Sequence, residues 1–181
     1  MSLDNPYFLA VLTIVVVLFL VDLVSDLLNL SALKPSLPEF FKDVYDAGKY
    51  KTSQDYTRET TKFGFVDHSI SLAIFLAFWL LGGFPWLDSI VRSWELSPLL
   101  TGLAAVGVLF VANTLAALPF DIYDTFVIEQ KYGFNKTTFG TFVVDQLKGL
   151  ALAAAIGLPV TALVLYLFTR FENAWLYAWL T

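Results

Sequence analysis

The sequence predicts an all-α integral membrane protein: a bundle of four transmembrane helices and the start of a fifth, with helical cytoplasmic connections. The chain of 181 residues is 57% hydrophobic and 15% charged, with a mean hydropathy of +0.69. This composition is too apolar for an ordinary water-soluble domain. The apolar residues also form four runs of about 20 residues, the length that a helix needs to cross a bilayer. The first expected partner is therefore the lipid bilayer.

The runs define one transmembrane domain that covers residues 1–181. A further apolar run begins near residue 174 and stops after about seven residues, so we expect the start of a fifth span there. An amphipathic terminal helix on the membrane surface is the alternative. The four complete spans are predicted at residues 6–28, 65–84, 98–118 and 147–168.

The first run has the features of a helix start. Asp4 or Asn5 can cap the helix, and Pro6 suits its first position. A secretory signal peptide is the competing interpretation. No basic residue precedes the run, however, and the run is longer than the apolar region of a signal peptide. We therefore predict a membrane span.

The second span is predicted to continue a helix that starts outside the lipid. Thr52 and Asp55 match a capping pattern for a helix start. Gly82, Gly83 and Pro85 are expected to end this helix, with a tryptophan at the membrane interface directly after them. Residues 31–63 therefore form a connection that is partly helical. For the fourth span, the sequence predicts a helix start between residues 135 and 138.

Basic residues are distributed unevenly between the connections. Six of the 11 lie in the connection 31–63, three lie in or beside the connection 119–146, and the remaining two are Arg92 and Arg170. Because cytoplasmic loops are enriched in lysine and arginine, we expect both connections in the cytoplasm and the amino terminus outside. The absence of cysteine and the short connections favour a bacterial inner membrane over the endoplasmic reticulum. With a net charge of −5, no nucleic acid partner is expected.

Few residues of the chain suit catalysis or metal binding. The sequence has no cysteine, no HExxH motif and a single histidine, His68, so it lacks the usual ligands of a zinc site. Asp22 and Asp26 share a helical face near the end of the first span and could hold a cation or a proton. Their nearness to interfacial water favours a solvated pair instead. We therefore expect no catalytic residue, no metal ligand and no cofactor in this chain.

Small residues recur every four positions along the fourth span. Such a stripe allows helices to approach closely in lipid. It supports helix packing and also an alternative function, a self-contained four-helix scaffold that binds lipid or a partner protein. A transporter is a weaker third hypothesis, because the spans carry almost no polar group at mid-membrane depth. The stripe consists of Gly149, Ala153, Gly157 and Thr161.

The segment from Leu118 to Thr138 resembles a signature of the type I CAAX prenyl proteases, membrane-embedded zinc metalloendopeptidases that trim the last three residues from prenylated proteins. The segment 37–63 is also similar to the first cytoplasmic loop of that family, with Tyr50, Ser53, Gln54, Tyr56 and Phe63 in place. Within this loop, Tyr56, Thr60 and Phe63 fall on one side of the predicted helix at helical spacing. The signature residues matched in this chain are Leu118, Pro119, Phe120, Tyr123, Phe126, Glu129, Gly133, Phe134 and Asn135.

The resemblance implies an amino-terminal membrane domain of such a protease. In the family, the HExxH helix and the third zinc ligand follow the fifth span, so this chain would be non-catalytic alone and zinc would belong to the full-length parent. The expected role is part of an intramembrane chamber wall and a cytoplasmic collar. The implied partners are a carboxy-terminal zinc protease domain and a prenylated or other peptide substrate.

Overall fold

The computed structural model describes residues 5–34, 36–41, 43 and 46–171. Every regular element within these residues is helical, which confirms the predicted all-α class. The α-helices are α1 (Pro6–Ala32), α2 (Ala47–Leu80), α3 (Gly83–Arg92), α4 (Pro98–Tyr123), α5 (Gln130–Tyr132) and α6 (Phe139–Arg170), with a 3₁₀-helix at Glu39–Phe41 and a π-helix at Asp124–Glu129.

Within the part of the chain that the structure describes, four helical stretches are long and apolar enough to cross a membrane. Most of their large apolar side chains are exposed. Exposure on this scale would be costly in water, whereas acyl chains solvate such a surface. The chain is therefore an integral membrane protein. The predicted start of a fifth span, near residue 174, lies outside the described residues. The four stretches are Pro6–Ala32, Ala47–Leu80, Pro98–Tyr132 and Phe139–Arg170.

Two of the predicted helix starts are confirmed at the level of the cap. The side-chain oxygen of Asn5 accepts a hydrogen bond from the backbone N–H of Tyr7 at 2.9 Å, and α1 begins at Pro6. At the start of α6, the hydroxyl of Thr138 accepts from the N–H of Thr141 at 3.2 Å. Both caps satisfy an N–H group that has no partner within its own helix.

The predicted start of α2 at Thr52 is wrong. The helix begins at Ala47, because the carboxylate of Asp46 accepts from the N–H of Lys49 at 2.8 Å and caps the helix one turn and a half earlier. Thr52 is already inside the helix, where its hydroxyl donates to the carbonyl of Gly48 at 3.0 Å. An aspartate directly before a helix-forming run is as good a cap as threonine.

The end of α2 also differs from the prediction. The helix ends at Leu80, and Gly82 shortly after it adopts a left-handed conformation with φ 84°. Gly83 and Pro85 do not terminate α2, since they lie in the first turn of a separate helix, α3. Proline is tolerated there because the first turn of a helix leaves its N–H groups without intrahelical partners.

The prediction ends the third span at residue 118, but the helix continues through Pro119. Pro119 lies inside α4, and the chain stays helical through the π-helix and α5 to Tyr132. A proline removes one backbone hydrogen bond, a loss that membrane helices accommodate by local adjustment of the helix. The amino-terminal part of the connection 119–146 is therefore a direct extension of the third spanning helix.

The chain divides into two compact units. The first comprises residues up to Gly82 together with Ala117–Asn135. Within it, Phe8 at the start of α1 packs on Trp79 near the end of α2, with ring centroids 5.0 Å apart. Trp79 also lies 5.8 Å from Phe75, and its exposed fraction is only 7%. The two helices are therefore antiparallel neighbours held at this end by an aromatic cluster.

The second unit comprises Gly83–Ala116 and the residues from Lys136 onwards. Its close helix contact does not use the predicted stripe, since a Cβ built on Gly149 or Gly157 would meet no atom within 4 Å. The contact lies instead at Gly102 of α4, where a Cβ would approach Cδ1 of Leu165 on α6 to 2.8 Å. Gly149 and Gly157 of the stripe are thus open among the described residues, whereas Ala153 and Thr161 are half-buried.

Because a Cβ on Gly102 would meet Leu165 and one on Gly149 would meet nothing within 4 Å, we expect substitutions at these two glycines to differ in their effect on stability. Replacing Gly102 with leucine should destabilise the chain by about 1 kcal/mol, because the added side chain overlaps Leu165 and must displace it. Thermal unfolding in detergent measures the effect. The same substitution at Gly149 is the matched control and should change stability little. Equal losses at the two positions would contradict this assignment of the contact.

Candidate functional site

The signature segment folds as one continuous helical path that ends in a tight turn. Its first four signature residues lie at the end of α4, the next two lie in the π-helix, and the last three form the turn after α5. In chain order these are Leu118, Pro119, Phe120 and Tyr123, then Phe126 and Glu129, then Gly133, Phe134 and Asn135.

The π-helix carries the most buried residue of this segment. Ile128 is 1% exposed, whereas its neighbour Val127 is largely exposed. A π-helical turn contains more residues than an α-helical one and therefore changes the direction in which the following side chains point. In this chain, the turn separates the membrane helix α4 from the three residues of α5. Such segments are rare and often mark functional sites.

The turn after α5 is closed by backbone hydrogen bonds to one carbonyl. The N–H groups of Phe134 and Asn135 both donate to the carbonyl of Glu129, at 2.9 and 3.2 Å. Gly133 takes the left-handed conformation with φ 76°, which an L side chain rarely adopts. The side-chain amide of Asn135 also donates to Gln130 at 3.2 Å. Gly133 and Asn135 of the signature therefore have direct roles in shaping the turn.

Aromatic rings attach this path to α2. The ring of Tyr56 lies 5.4 Å from Tyr132 and 4.7 Å from Phe134, in both cases edge to face. Two turns further along α2, Phe63 stacks on Tyr123 at 4.7 Å and also lies 6.2 Å from Phe120. Each such pair contributes about 0.5–1.5 kcal/mol beyond the area that it buries.

A carboxylate lies between these two aromatic contacts. One oxygen of Glu59 accepts a hydrogen bond from the ammonium of Lys131 at 2.5 Å and a second from the hydroxyl of Tyr132 at 2.6 Å. We call Glu59, Lys131 and Tyr132 the Glu59 latch. The side chain of Glu59 is about one-third exposed, so the pair is partly screened by solvent but not fully hydrated. The latch connects positions more than 70 residues apart in the chain.

Glu59 was not identified from the sequence. The sequence places Tyr56, Thr60 and Phe63 on one side of the helix. Of these, Thr60 makes hydrogen bonds within its own helix, since its hydroxyl donates to backbone carbonyls there at 3.1 Å. The signal for Glu59 was its spacing, because residues three after Tyr56 and four before Phe63 share their helix face. The spacing alone gives no reason to prefer Glu59 over the neighbouring charged residues. Lys131 and Tyr132 of α5, which donate to it, supply that reason.

The residues considered for cation or proton binding lie together at another place in the first compact unit. Asp22 and Asp26 of α1 and His68 of α2 line a small cavity with three apolar side chains, and its volume of about 20 Å³ has room for one water molecule. Asp22, Asp26 and His68 do not form a group that could hold a metal ion, and no such group of three or more occurs within the described part of the chain. The residues present therefore do not fit a catalytic zinc ion, which needs three fixed protein ligands.

Comparison with known proteins places this geometry in context. The sequence model described as "CAAX prenyl protease N-terminal, five membrane helices" matches residues 26–181. A CAAX prenyl protease 1 homolog of Arabidopsis thaliana is 29% identical over 91% of this chain and 41% of its own length. CAAX prenyl protease 1 of Saccharomyces cerevisiae is 34% identical over 78% of this chain and 33% of its own length.

A solved structure agrees with these sequence matches. The crystal structure of S. mikatae Ste24p matches 93% of this chain with a TM-score of 0.84 and 29% sequence identity. The match covers 40% of the Ste24p chain. The present chain therefore spans less than half the length of the relatives that it matches.

Proposed function

Because this chain belongs to the CAAX prenyl protease family and corresponds to its amino-terminal membrane domain, we propose that it acts as a non-catalytic part of a zinc metalloendopeptidase. Its spanning helices contribute part of the wall of an intramembrane chamber. The signature segment and the α2 half that holds it form a collar at one membrane face. The zinc ion, the catalytic residues and the prenylated or other peptide substrate belong to the whole protease.

The observation that carries this proposal is the attachment of the signature segment to α2. A loop that only connected two spans would not need a buried isoleucine, a π-helical turn and a two-donor carboxylate to hold it. Such features rigidify a surface, and a rigid surface is what a further domain requires to dock in one orientation. The collar is thus suited to support a zinc domain placed after this chain in the parent protein.

The proposed orientation follows from the basic residues. The connections 31–63 and 119–146 carry most of the lysine and arginine of the chain, which supports a cytoplasmic location for both and an amino terminus outside. The bacterial inner membrane is favoured only by the absence of cysteine and by the short connections, and the relatives compared above are eukaryotic. Fractionation of the source cells tests the membrane, and single introduced cysteines tested with an impermeant reagent determine the orientation.

A chimera tests the role directly. This chain would replace the matching amino-terminal part of Ste24p from S. mikatae, the protein whose structure it resembles over 93% of its length. We expect the chimera to cleave a prenylated peptide, whereas the remaining part of Ste24p without any replacement should be inactive. A chimera that is produced in the membrane and binds zinc, but does not cleave the peptide, would contradict the proposed equivalence.

The chain by itself should be inactive. We expect the purified 181-residue chain to retain no stoichiometric zinc and to leave a prenylated peptide intact, because its described residues offer no three-ligand site. Metal analysis after dialysis, with the active chimera as the positive control, makes the comparison. One tightly held zinc ion per chain would show that the metal site lies here after all.

A self-contained scaffold is the second candidate, and the open stripe on α6 favours it. Gly149 and Gly157 leave a face of α6 on which another helix could approach closely. In a protease, that face would be covered by later parts of the same protein. In a scaffold, it would bind lipid or another protein. Translation of the parent gene beyond Thr181 separates the two, because only the protease requires an HExxH motif there.

A further inference from the structure

The short helix α3 lies between two membrane-spanning helices and has little freedom to leave the membrane surface. Only residues 81–82 separate it from α2, and only residues 93–97 separate it from α4. At no more than about 3.6 Å per residue, these connections reach about 7 and 18 Å. The headgroup region on each side of a bilayer is itself about 5–8 Å thick. The whole of α3 is thus confined to the interface or its immediate vicinity.

The sides of α3 have different chemical character. Leu87 and Val91, four residues apart, are 6% and 0% exposed and form the face that is buried in the protein. Asp88 and Arg92 lie on one flank of that face, where Arg92 donates to Asp88 at 2.8 Å and both remain exposed. This hydrogen bond raises the pKa of Arg92. A flank of this kind is stable only in contact with water.

The opposite flank carries a tryptophan. Trp86 precedes Leu87 by one residue, so it points about 100° away from the buried face, on the side opposite to Asp88. Its side chain is 62% exposed, and Ile90 on the same flank is half-buried. A single exposed indole is tolerated on a soluble protein and does not by itself indicate a membrane. At a membrane interface it is favourable, because an indole has an apolar body and one N–H donor.

We propose that α3 lies in the plane of the membrane interface, with its Trp86 flank inserted among the lipids. Its buried face then points sideways into the protein, and the Asp88 and Arg92 flank points to water. Lipid is the occupant of the Trp86 flank because both ends of α3 continue directly into helices that already face lipid. Trp94, which is about half exposed, provides a second anchor at the other end of the helix.

The inference rests only on α3 and its two connections and is independent of the protease assignment. Depth-dependent fluorescence quenching tests it. The chain contains five tryptophans, and a variant that keeps only Trp86, with the others replaced by phenylalanine, is reconstituted into phosphatidylcholine vesicles. Some vesicles carry lipid brominated near the headgroup and others carry lipid brominated near the chain ends.

Quenching of Trp86 should be about twofold stronger with bromine near the headgroup than with bromine near the chain ends. A variant that keeps only Trp79 is the matched control, and it should be quenched weakly by both lipids, since Phe8 and Phe75 shield this ring. Quenching of Trp86 by aqueous iodide but not by either lipid would place the flank in water. Resistance to all quenchers would place another protein surface on it. Either result would overturn the proposal.

A second measurement compares the labelling rates of single introduced cysteines and leaves the other tryptophans in place. Because the chain has no cysteine, Trp86→Cys and Asp88→Cys each create a single reactive thiol on opposite flanks of the same helix. With a water-soluble maleimide and vesicles opened by freezing and thawing, Asp88→Cys should react roughly tenfold faster, since the reactive thiolate forms in water. Equal rates for the two variants, whether fast or slow, would overturn the proposed orientation of α3.

Discussion

Replacing Glu59 with lysine should lower the free energy of unfolding by about 2 kcal/mol and should abolish peptide cleavage in the Ste24p chimera. The substitution removes an acceptor shared by two donors, each such bond to a charged group being worth about 1.5–3 kcal/mol when well buried. Partial exposure of Glu59 reduces that sum. The new ammonium would in addition face Lys131 at the distance where like charges repel. Thermal unfolding in detergent and the peptide cleavage rate are the two measurements.

Three variants separate the parts of this effect. Tyr132→Phe removes one donor only and should cost less than half as much. The double exchange Glu59→Lys with Lys131→Glu restores opposite charges and should recover part of the lost stability. Lys51→Glu, a charge reversal of equal size and opposite sign at an exposed position of the same helix, shows the effect of a charge reversal outside the latch and should have little effect. If Glu59→Lys were as stable as the native chain, the Glu59 latch would have no structural role.

Replacing Trp79 with alanine should destabilise the chain by about 2 kcal/mol and loosen the contact between α1 and α2. The ring is almost fully buried between Phe8 and Phe75. Truncation of a buried tryptophan costs about 3–5 kcal/mol in a soluble core, where hydrophobic transfer adds to lost contacts. In lipid or detergent, the apolar solvent compensates for the transfer part, and the lost dispersion contacts dominate.

A second tryptophan provides the control for this experiment. Trp86→Ala removes the same side chain from an exposed position on α3 and should leave the unfolding temperature in detergent nearly unchanged. Trp79→Phe should lose much less than Trp79→Ala, because a ring remains between its two neighbours. Equal destabilisation by Trp79→Ala and Trp86→Ala would show that the aromatic cluster does not hold the two helices together.

The class of fold could be predicted because it depends on properties that sequence displays directly. Hydrophobic runs of spanning length identify membrane helices. In lipid, a chain segment outside a closed β-barrel can satisfy its backbone hydrogen bonds only as a helix. Local caps were also visible, as Asn5 and Thr138 show. Where two caps competed, at Asp46 and Thr52, the sequence alone did not decide between them. The continuation of α4 through Pro119 was not visible either, because the effect of a proline depends on how the surrounding helix adjusts.

The helix contacts were less predictable. The stripe from Gly149 to Thr161 has the spacing for close approach, yet a Cβ on Gly149 or Gly157 meets nothing among the described residues, and the observed contact joins Gly102 to Leu165. A small residue permits close approach but does not select a partner. The selection depends on which helix faces are brought together, and spacing along one helix carries no information about the other helix.

The same reasoning separates what the sequence by itself determined from what only the tertiary structure decided. Hydropathy and charge established a membrane protein, and a continuous motif from Leu118 to Asn135 indicated its family. The role of that motif became visible only in three dimensions, where Glu59 accepts from Lys131 and Tyr132 across more than 70 residues of chain. Hydrophobic periodicity is a local property of one helix, whereas a hydrogen bond between distant residues exists only once the chain has folded.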